Sequence, residues 1–288
     1  MNDDLILPFA LQEANVRGKI VRLGDSISDI LGRHDYPPQV SAKLAEATVL
    51  ASLLGGTLKF DGKLILQTSS DGPLGMMVAD FTTPGSLRGY ARFEEREGDF
   101  SDAPLLGHGH LALTIDQGEH MERYQGVVAL QGDDLALAAD EYFQRSEQIP
   151  SQIHLCAGPI ITNAGSAWRA GGIIIQHMPD DTGDEGAGRG EDWRRAEILL
   201  QTIAADELLD PQLPPEKLLY RLFHEEGVRI FTPQPLKADC GCSNERVRAM
   251  LAGFSKAERG DMLDTDNEFA VKCEFCGREY KFAAAEFE

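Results

Sequence analysis

Apolar residues recur at helical spacing through PPQVSAKLAEATVLASLLGGTLKF, residues 37–60. Two prolines stand at the start and Gly55-Gly56 closes the run, so the pattern predicts a helix. Five short segments rich in β-formers follow: KLILQTSS (63–70), PLGMMVADF (73–81), SLRGYARF (86–93), HLALTID (110–116) and YQGVVAL (124–130). DG, PG and acidic clusters separate them, which predicts strands. DDLALAADEYFQRSEQ (133–148) returns to helical spacing, with Asp133 or Asp134 as N-cap. SQIHLCAG (151–158) and AGGIIIQHMP (170–179) read as strands again. Runs of strands broken by few helices predict an α+β class, not an alternating α/β one.

The pattern stops at DDTGDEGAGRGED, residues 180–192, with four glycines, six acidic residues and one arginine. Such a tract buries almost nothing and reads as a mobile linker and domain boundary. WRRAEILLQTI (193–203) and PPEKLLYRLFHEE (214–226) then predict two amphipathic helices, the second with Pro214-Pro215 in its first turn. VRIFTP (228–233) reads as a strand, NERVRAMLAGF (244–254) and a segment near 256–264 as helices, and FAVKCEFCGREYKF (269–282) as a hairpin. The expected organisation is an α+β core (1–179), an acidic glycine-rich hinge with a helical linker (180–229), and a small C-terminal four-cysteine domain (230–288).

Composition narrows the classes. The chain has 288 residues and a formal net charge of −20, from 47 acidic against 27 basic residues. Phosphate backbones and anionic membranes repel such a chain, so neither nucleic acid nor a membrane is an expected partner. MNDDLILPFA lacks the basic and apolar regions of a secretory signal, and no run of 18 apolar residues occurs. The expected compartment is the cytoplasm, where thiols stay reduced.

That setting gives the cysteines their meaning. There are five, and four stand in two close pairs near the C-terminus: Cys240 and Cys242 in DCGCS, Cys273 and Cys276 in KCEFC. Two tight turns offering two sulfurs each have the logic of a zinc site. All seven histidines lie at or before His224, which favours four thiolate ligands and a closed, non-catalytic site holding one zinc ion. The C-x-C pair has a further consequence. A disulfide between Cys240 and Cys242 would close a very small ring, and strained disulfides are the labile ones. Spacing alone leaves two readings open, an oxidant sensor whose output is local unfolding and a static zinc ribbon.

EGVRIFTPQPLKADCGCSNERVRAML together with AVKCEFCGREYKF resembles the heat-shock protein 33 family, the redox-regulated holdase chaperones. EYFQRSEQIPS (141–151) and AGGIIIQHMP (170–179) are similar to that family's core-domain signatures, so the likeness runs through most of the chain. The resemblance implies a redox-switch zinc domain at the C-terminus and a stress-response function without catalysis. On oxidation, Cys240–Cys242 and Cys273–Cys276 would form disulfides, zinc would leave, and the linker would unfold and bind unfolding proteins. The resemblance also implies a homodimer when oxidised and ATP-dependent foldases downstream. The glycine and acidic tract at 180–192 is longer than the family needs.

The linker helices supply client-binding candidates: Leu199, Leu200, Ile203, Leu218, Leu219, Leu222 and Phe223. Isolated short helices are marginal, so they must dock on the core until released. No Walker motif or H-E-x-x-H occurs, so no nucleotide or zinc-protease chemistry is expected. His108 and His110 in GHGH read as surface or structural histidines, and Cys156 as a buried strand thiol. The alternatives are a permanent zinc ribbon for a protein or RNA partner, and a thiol oxidoreductase using C-E-F-C.

Overall fold

The computed structural model describes residues 3–95, 100, 104–118, 121–162, 165–178, 187–264 and 267–287. The chain divides into two compact units, Met1–Ala238 and Asp239–Glu288. It mixes helix and strand in the α+β manner the pattern predicts.

The first unit opens with β1 (Leu5–Leu11), β2 (Val16–Leu23), α1 (Asp25–Leu31) and α2 (Pro38–Gly55). β3 (Lys63–Ser70), β4 (Met76–Thr82), β5 (Ser86–Arg92), β6 (His108–Asp116) and β7 (Tyr124–Gln131) follow. α3 (Leu135–Tyr142) runs into a π turn at Phe143–Glu147, and then come β8 (Ser151–Thr162) and β9 (Gly165–His177). α4 (Ala187–Gln201), α5 (Ala205–Leu209) and α6 (Pro215–Phe223) form the helical region, and a 3-10 turn, His224–Glu226, follows α6. The unit ends with β10 (Val228–Ile230), β11 (Gln234–Pro235) and β12 (Lys237–Ala238).

These strands make two sheets. One has the order β10-β1-β2-β9-β8, with β11 also on β1; the other has the order β12-β5-β4-β3-β6-β7. α2 lies against strands of both sheets. Leu44, Ala45, Ala47, Val49, Leu50 and Leu53 point in several directions around it, and all are buried. A helix apolar on every side belongs inside, and the two sheets supply the cover. Gly56 ends it, and Asp134 caps α3 by accepting the Leu137 N–H at 2.9 Å.

The other face of the first sheet carries a second core. Leu7, Phe9, Ile20, Ile173 and Ile175 pack there against Leu200, Ile203, Leu208, Leu218, Leu219 and Phe223 of the helical region. Buried polar ties fasten this layer. Arg22 of β2, 1% exposed, donates to the carbonyls of Asp210 and Leu213 between α5 and α6. Arg195 of α4 forks onto Glu226 at 2.5 and 3.0 Å, and Glu226 is fully buried.

Three differences from the expected layout have physical reasons. β1, β2 and α1 are additions, because LILPFAL is short, is interrupted by Pro8, and becomes a strand through pairing with β2. Residues 180–186 of the glycine and acidic tract lie outside the described residues, but 187–192 begin α4. Residues 230–238, grouped with the C-terminal domain above, belong to the first unit: Ile230 pairs with Phe9, Gln234 with Ile6, and Lys237 with Ser86. Backbone pairing draws that segment to the core sheets, which hydropathy cannot foretell.

The second unit holds α7 (Asn244–Ala252), α8 (Lys256–Asp261), the hairpin β13 (Glu268–Lys272) and β14 (Glu279–Ala283), and a 3-10 turn at Ala284–Phe287. Among the described residues its buried apolar core is Leu251, Phe269, Tyr280 and Phe282. So small a core does not hold a domain by itself, and such domains need a metal or another staple.

Candidate metal and thiol centre

The C-x-C turn is built by local hydrogen bonds. Gly241 stands between the cysteines at φ 63°, in the left-handed region that glycine enters without strain. Its N–H reaches Asp239 Oδ1 at 3.1 Å, and its carbonyl accepts from Arg246 Nη1 at 2.5 Å. Ser243 caps α7 by accepting the Arg246 N–H, so the helix starts directly after Cys242. The second pair sits at the hairpin end. The Cys273 N–H donates to Arg278 at 2.9 Å, the Gly277 N–H donates back to Cys273 at 2.8 Å, and Gly277 takes φ 68°.

The two turns bring all four sulfurs together, within 4.8 Å of one another. Cys240 Sγ lies 3.5 Å from Cys273 Sγ, and Cys242 Sγ lies 3.3 Å from Cys276 Sγ. Thiolates at about 2.3 Å around one tetrahedral ion stand roughly 3.8 Å apart, so the cluster has the size of such a site. It is the one group of metal-binding side chains among the described residues.

Thiols this close cannot all ionise unaided. Burial pushes Cys240 up to about 12, reinforced by hydrogen bonds with Cys273 and Cys242. Burial also raises Cys276. Burial opposes ionisation of Cys242 too, but hydrogen bonds from Tyr280 and the neighbouring thiols outweigh it and bring Cys242 down to about 7. The Tyr280 hydroxyl donates to Cys242 Sγ at 3.0 Å. A bound cation reverses this balance, because a coordinating thiol is deprotonated outright. Four soft donors, in a unit whose sequence contains no histidine, fit zinc.

Spacing located the cysteines but missed Tyr280. The only signal for it was a polar-tipped aromatic on the hairpin strand, four residues after Cys276.

The other candidate residues fall elsewhere. Leu200, Ile203, Leu218, Leu219 and Phe223 are buried in the second core, with Leu199 and Leu222 partly buried against it. His108 and His110 lie exposed on β6, with His108 Nδ1 4.0 Å from Asp71. Cys156, expected to be buried, is only partly so; it sits on β8 opposite Gly171, where desolvation still pushes its thiol up to about 12. Such a thiol is poorly reactive. No helix among the described residues is long and apolar enough to cross a membrane.

Comparison with known proteins bears on the whole chain. A 33 kDa chaperonin of Caulobacter vibrioides is 43% identical over 288 residues, covering 97% of this chain and 94% of the relative. The 33 kDa chaperonin of Nitrosococcus oceani is 39% identical over 287 residues, covering 100% and 94%. The crystal structure of the 33 kDa chaperonin from Thermotoga maritima shares the fold, with a TM-score of 0.82 at 24% identity over 99% of this chain and 96% of that one. The family model described as Hsp33 protein matches residues 4–283, both units included, and the chain therefore belongs to the Hsp33 family of chaperones.

Proposed function

We propose that the chain is a redox-activated, ATP-independent holdase of the cytoplasm, switched by its cysteine tetrad during oxidative stress. The observation that carries this reading is four sulfurs within 4.8 Å in a unit with almost no apolar core. Cys240, Cys242, Cys273 and Cys276 hold one zinc ion in the reduced state, and the ion supplies the unit's folding energy, on the order of 10–16 kcal/mol for small zinc domains. Oxidation joins Cys240 to Cys242 and Cys273 to Cys276. Each disulfide forms from two zinc-bound thiolates with loss of two electrons, and one peroxide takes up those electrons with two protons from solvent and leaves as two waters. No thiolate then remains to bind metal, and the unit unfolds.

The client surface is the apolar side of the helical region. Leu199, Leu200, Ile203, Leu218, Leu219, Leu222 and Phe223 lie buried or partly buried against the first sheet in the folded state. Released, they form the kind of apolar patch that binds unfolding chains. The net charge of −20 keeps the opened molecule from aggregating with itself. The active form is a homodimer, and clients pass to ATP-dependent foldases once reductant returns.

The test follows zinc release with a chromogenic chelator during peroxide treatment at mild heat, and client light scattering in parallel. Release matched by suppressed scattering, reversed by reductant with zinc, supports the switch. Zinc that resists peroxide would return the tetrad to a static ribbon.

A further inference from the structure

The middle layer of the first unit leaves a gap where α2 ends. There a cavity of about 170 Å³ lies between the sheets, walled by Leu54, Leu64, Ile115, Phe143 and Ile174. An engineered apolar cavity of about 150 Å³ takes up benzene, so this one has room for a single ring or a short chain. Lys19 of β2 lines it. Its ammonium donates to the Leu53 carbonyl at 3.0 Å, its one hydrogen bond among the described residues, and has three protons to place.

The environment gives Lys19 a larger neutral fraction than an exposed lysine has. Burial pushes Lys19 down to about 8. The titratable groups sharing the cavity wall are Tyr142 of α3 and Glu147 of the π turn; α2, β3, β6 and β9 contribute none. Tyr142 donates to Glu147 at 2.7 Å, and burial holds its own proton firmly. Glu147 is exposed, and its carboxylate repels an anionic occupant. A desolvated lysine amine is a nucleophile toward carbonyl carbon.

We propose that this cavity captures small neutral aldehydes and that Lys19 forms an imine with them. The Nζ lone pair attacks the carbonyl carbon, and the carbonyl oxygen takes up a proton. The carbinolamine then loses water and the C=N bond forms. One water leaves and nothing is oxidised or reduced. The walls are mostly apolar, with Thr57, Tyr142, Glu147 and Gln176 as the other polar lining residues. This site is independent of the cysteine tetrad.

The full-length, zinc-loaded protein is treated with benzaldehyde near neutral pH, trapped with cyanoborohydride, and mapped by peptide mass spectrometry. Labelling of Lys19 about tenfold above the mean of the other lysines is expected, given its larger neutral fraction. Its pH profile should reach half-maximum near 8. Toluene, which fits the cavity but cannot react, should protect Lys19 alone. Leu113→Trp, which fills the cavity and keeps the amine, should abolish the preference. Labelling spread according to exposure, or Lys19 labelling indifferent to toluene, overturns the proposal. If Leu113→Trp does not fold, the toluene competition on the unaltered protein decides.

Discussion

A single hydroxyl distinguishes one sulfur of the tetrad from the other three. The Tyr280 O–H donated to Cys242 stabilises a thiolate and, by sharing its lone pair, blunts its attack on an oxidant. Outer partners of metal ligands commonly carry about 10–100-fold in metal affinity. Tyr280→Phe should therefore weaken zinc binding by about tenfold and hasten peroxide-driven release. Chelator competition and the release rate check the two effects separately; a variant identical to the parent in both would make Tyr280 a packing residue only. Asp140 shows a different residue-scale effect. Burial pushes its carboxyl up to about 8, although the Ile153 N–H at 3.3 Å works against the rise. Its folded pKa thus exceeds the unfolded value of 3.8. Folding favours the protonated form, so this contribution is whole below the unfolded value and is lost as pH rises toward 8. Denaturant midpoints taken across that window should fall with pH in the parent. They should fall less in Asp140→Asn, which cannot ionise.

At the scale of elements, the question is what holds α4, α5 and α6 on the first sheet. Apolar burial supplies the bulk of it, and Leu219 and Phe223 have no exposed surface. Leu219→Ala should cost roughly 2–5 kcal/mol of docking stability. The reduced, zinc-loaded variant should then bind an apolar dye without oxidant, and unchanged dye binding would argue that docking does not gate the surface. The polar ties add direction. Arg195 is the hydrogen-bonding partner of a buried Glu226 carboxylate, and an unpaired buried charge is poorly tolerated. Arg195→Ala should raise amide exchange along α4 and the His224–Glu226 turn while the β3–β4–β6 strands stay protected. Exchange measured by mass spectrometry distinguishes this local loosening from general unfolding.

For the whole molecule, the two units have unequal means of support. Among the described residues, Met1–Ala238 has two apolar cores, and Asp239–Glu288 has four buried apolar side chains and a sulfur cluster. Metal removal should therefore unfold the second unit and leave the sheets of the first intact. Chelation under reducing conditions, followed by hydrogen exchange, should show protection lost in 244–283 and kept in β1–β9. Global loss of protection would mean that the first unit needs the second in order to fold. The strands that connect to the second unit, β10 to β12, pair with the core sheets and are short. They are the stretch where exchange should first report any spread of unfolding.

Much of this was legible without the fold. α2, β3 to β9, α6, α7 and the cysteine hairpin each carry a local period or a turn signal, and those signals depend only on neighbours in the chain. The tetrad was legible for a similar reason, since two tight turns declare their sulfurs by spacing. What the chain could not declare was partnership. The stripe of Leu218, Leu219, Leu222 and Phe223 looks the same whether it faces a sheet, a client or solvent; only packing against Phe9, Ile20 and Ile173 decides that it is covered. β1 becomes a strand through pairing with β2, and β2 through pairing with β9, whose residues lie far along the chain, as Val16 opposite His177 shows. Tyr280 over Cys242 and Lys19 at the end of α2 likewise arise where distant segments meet. Periodicity records which side of an element is apolar. Only the tertiary structure records what that side meets, because the meeting is set by packing among residues that share no local pattern.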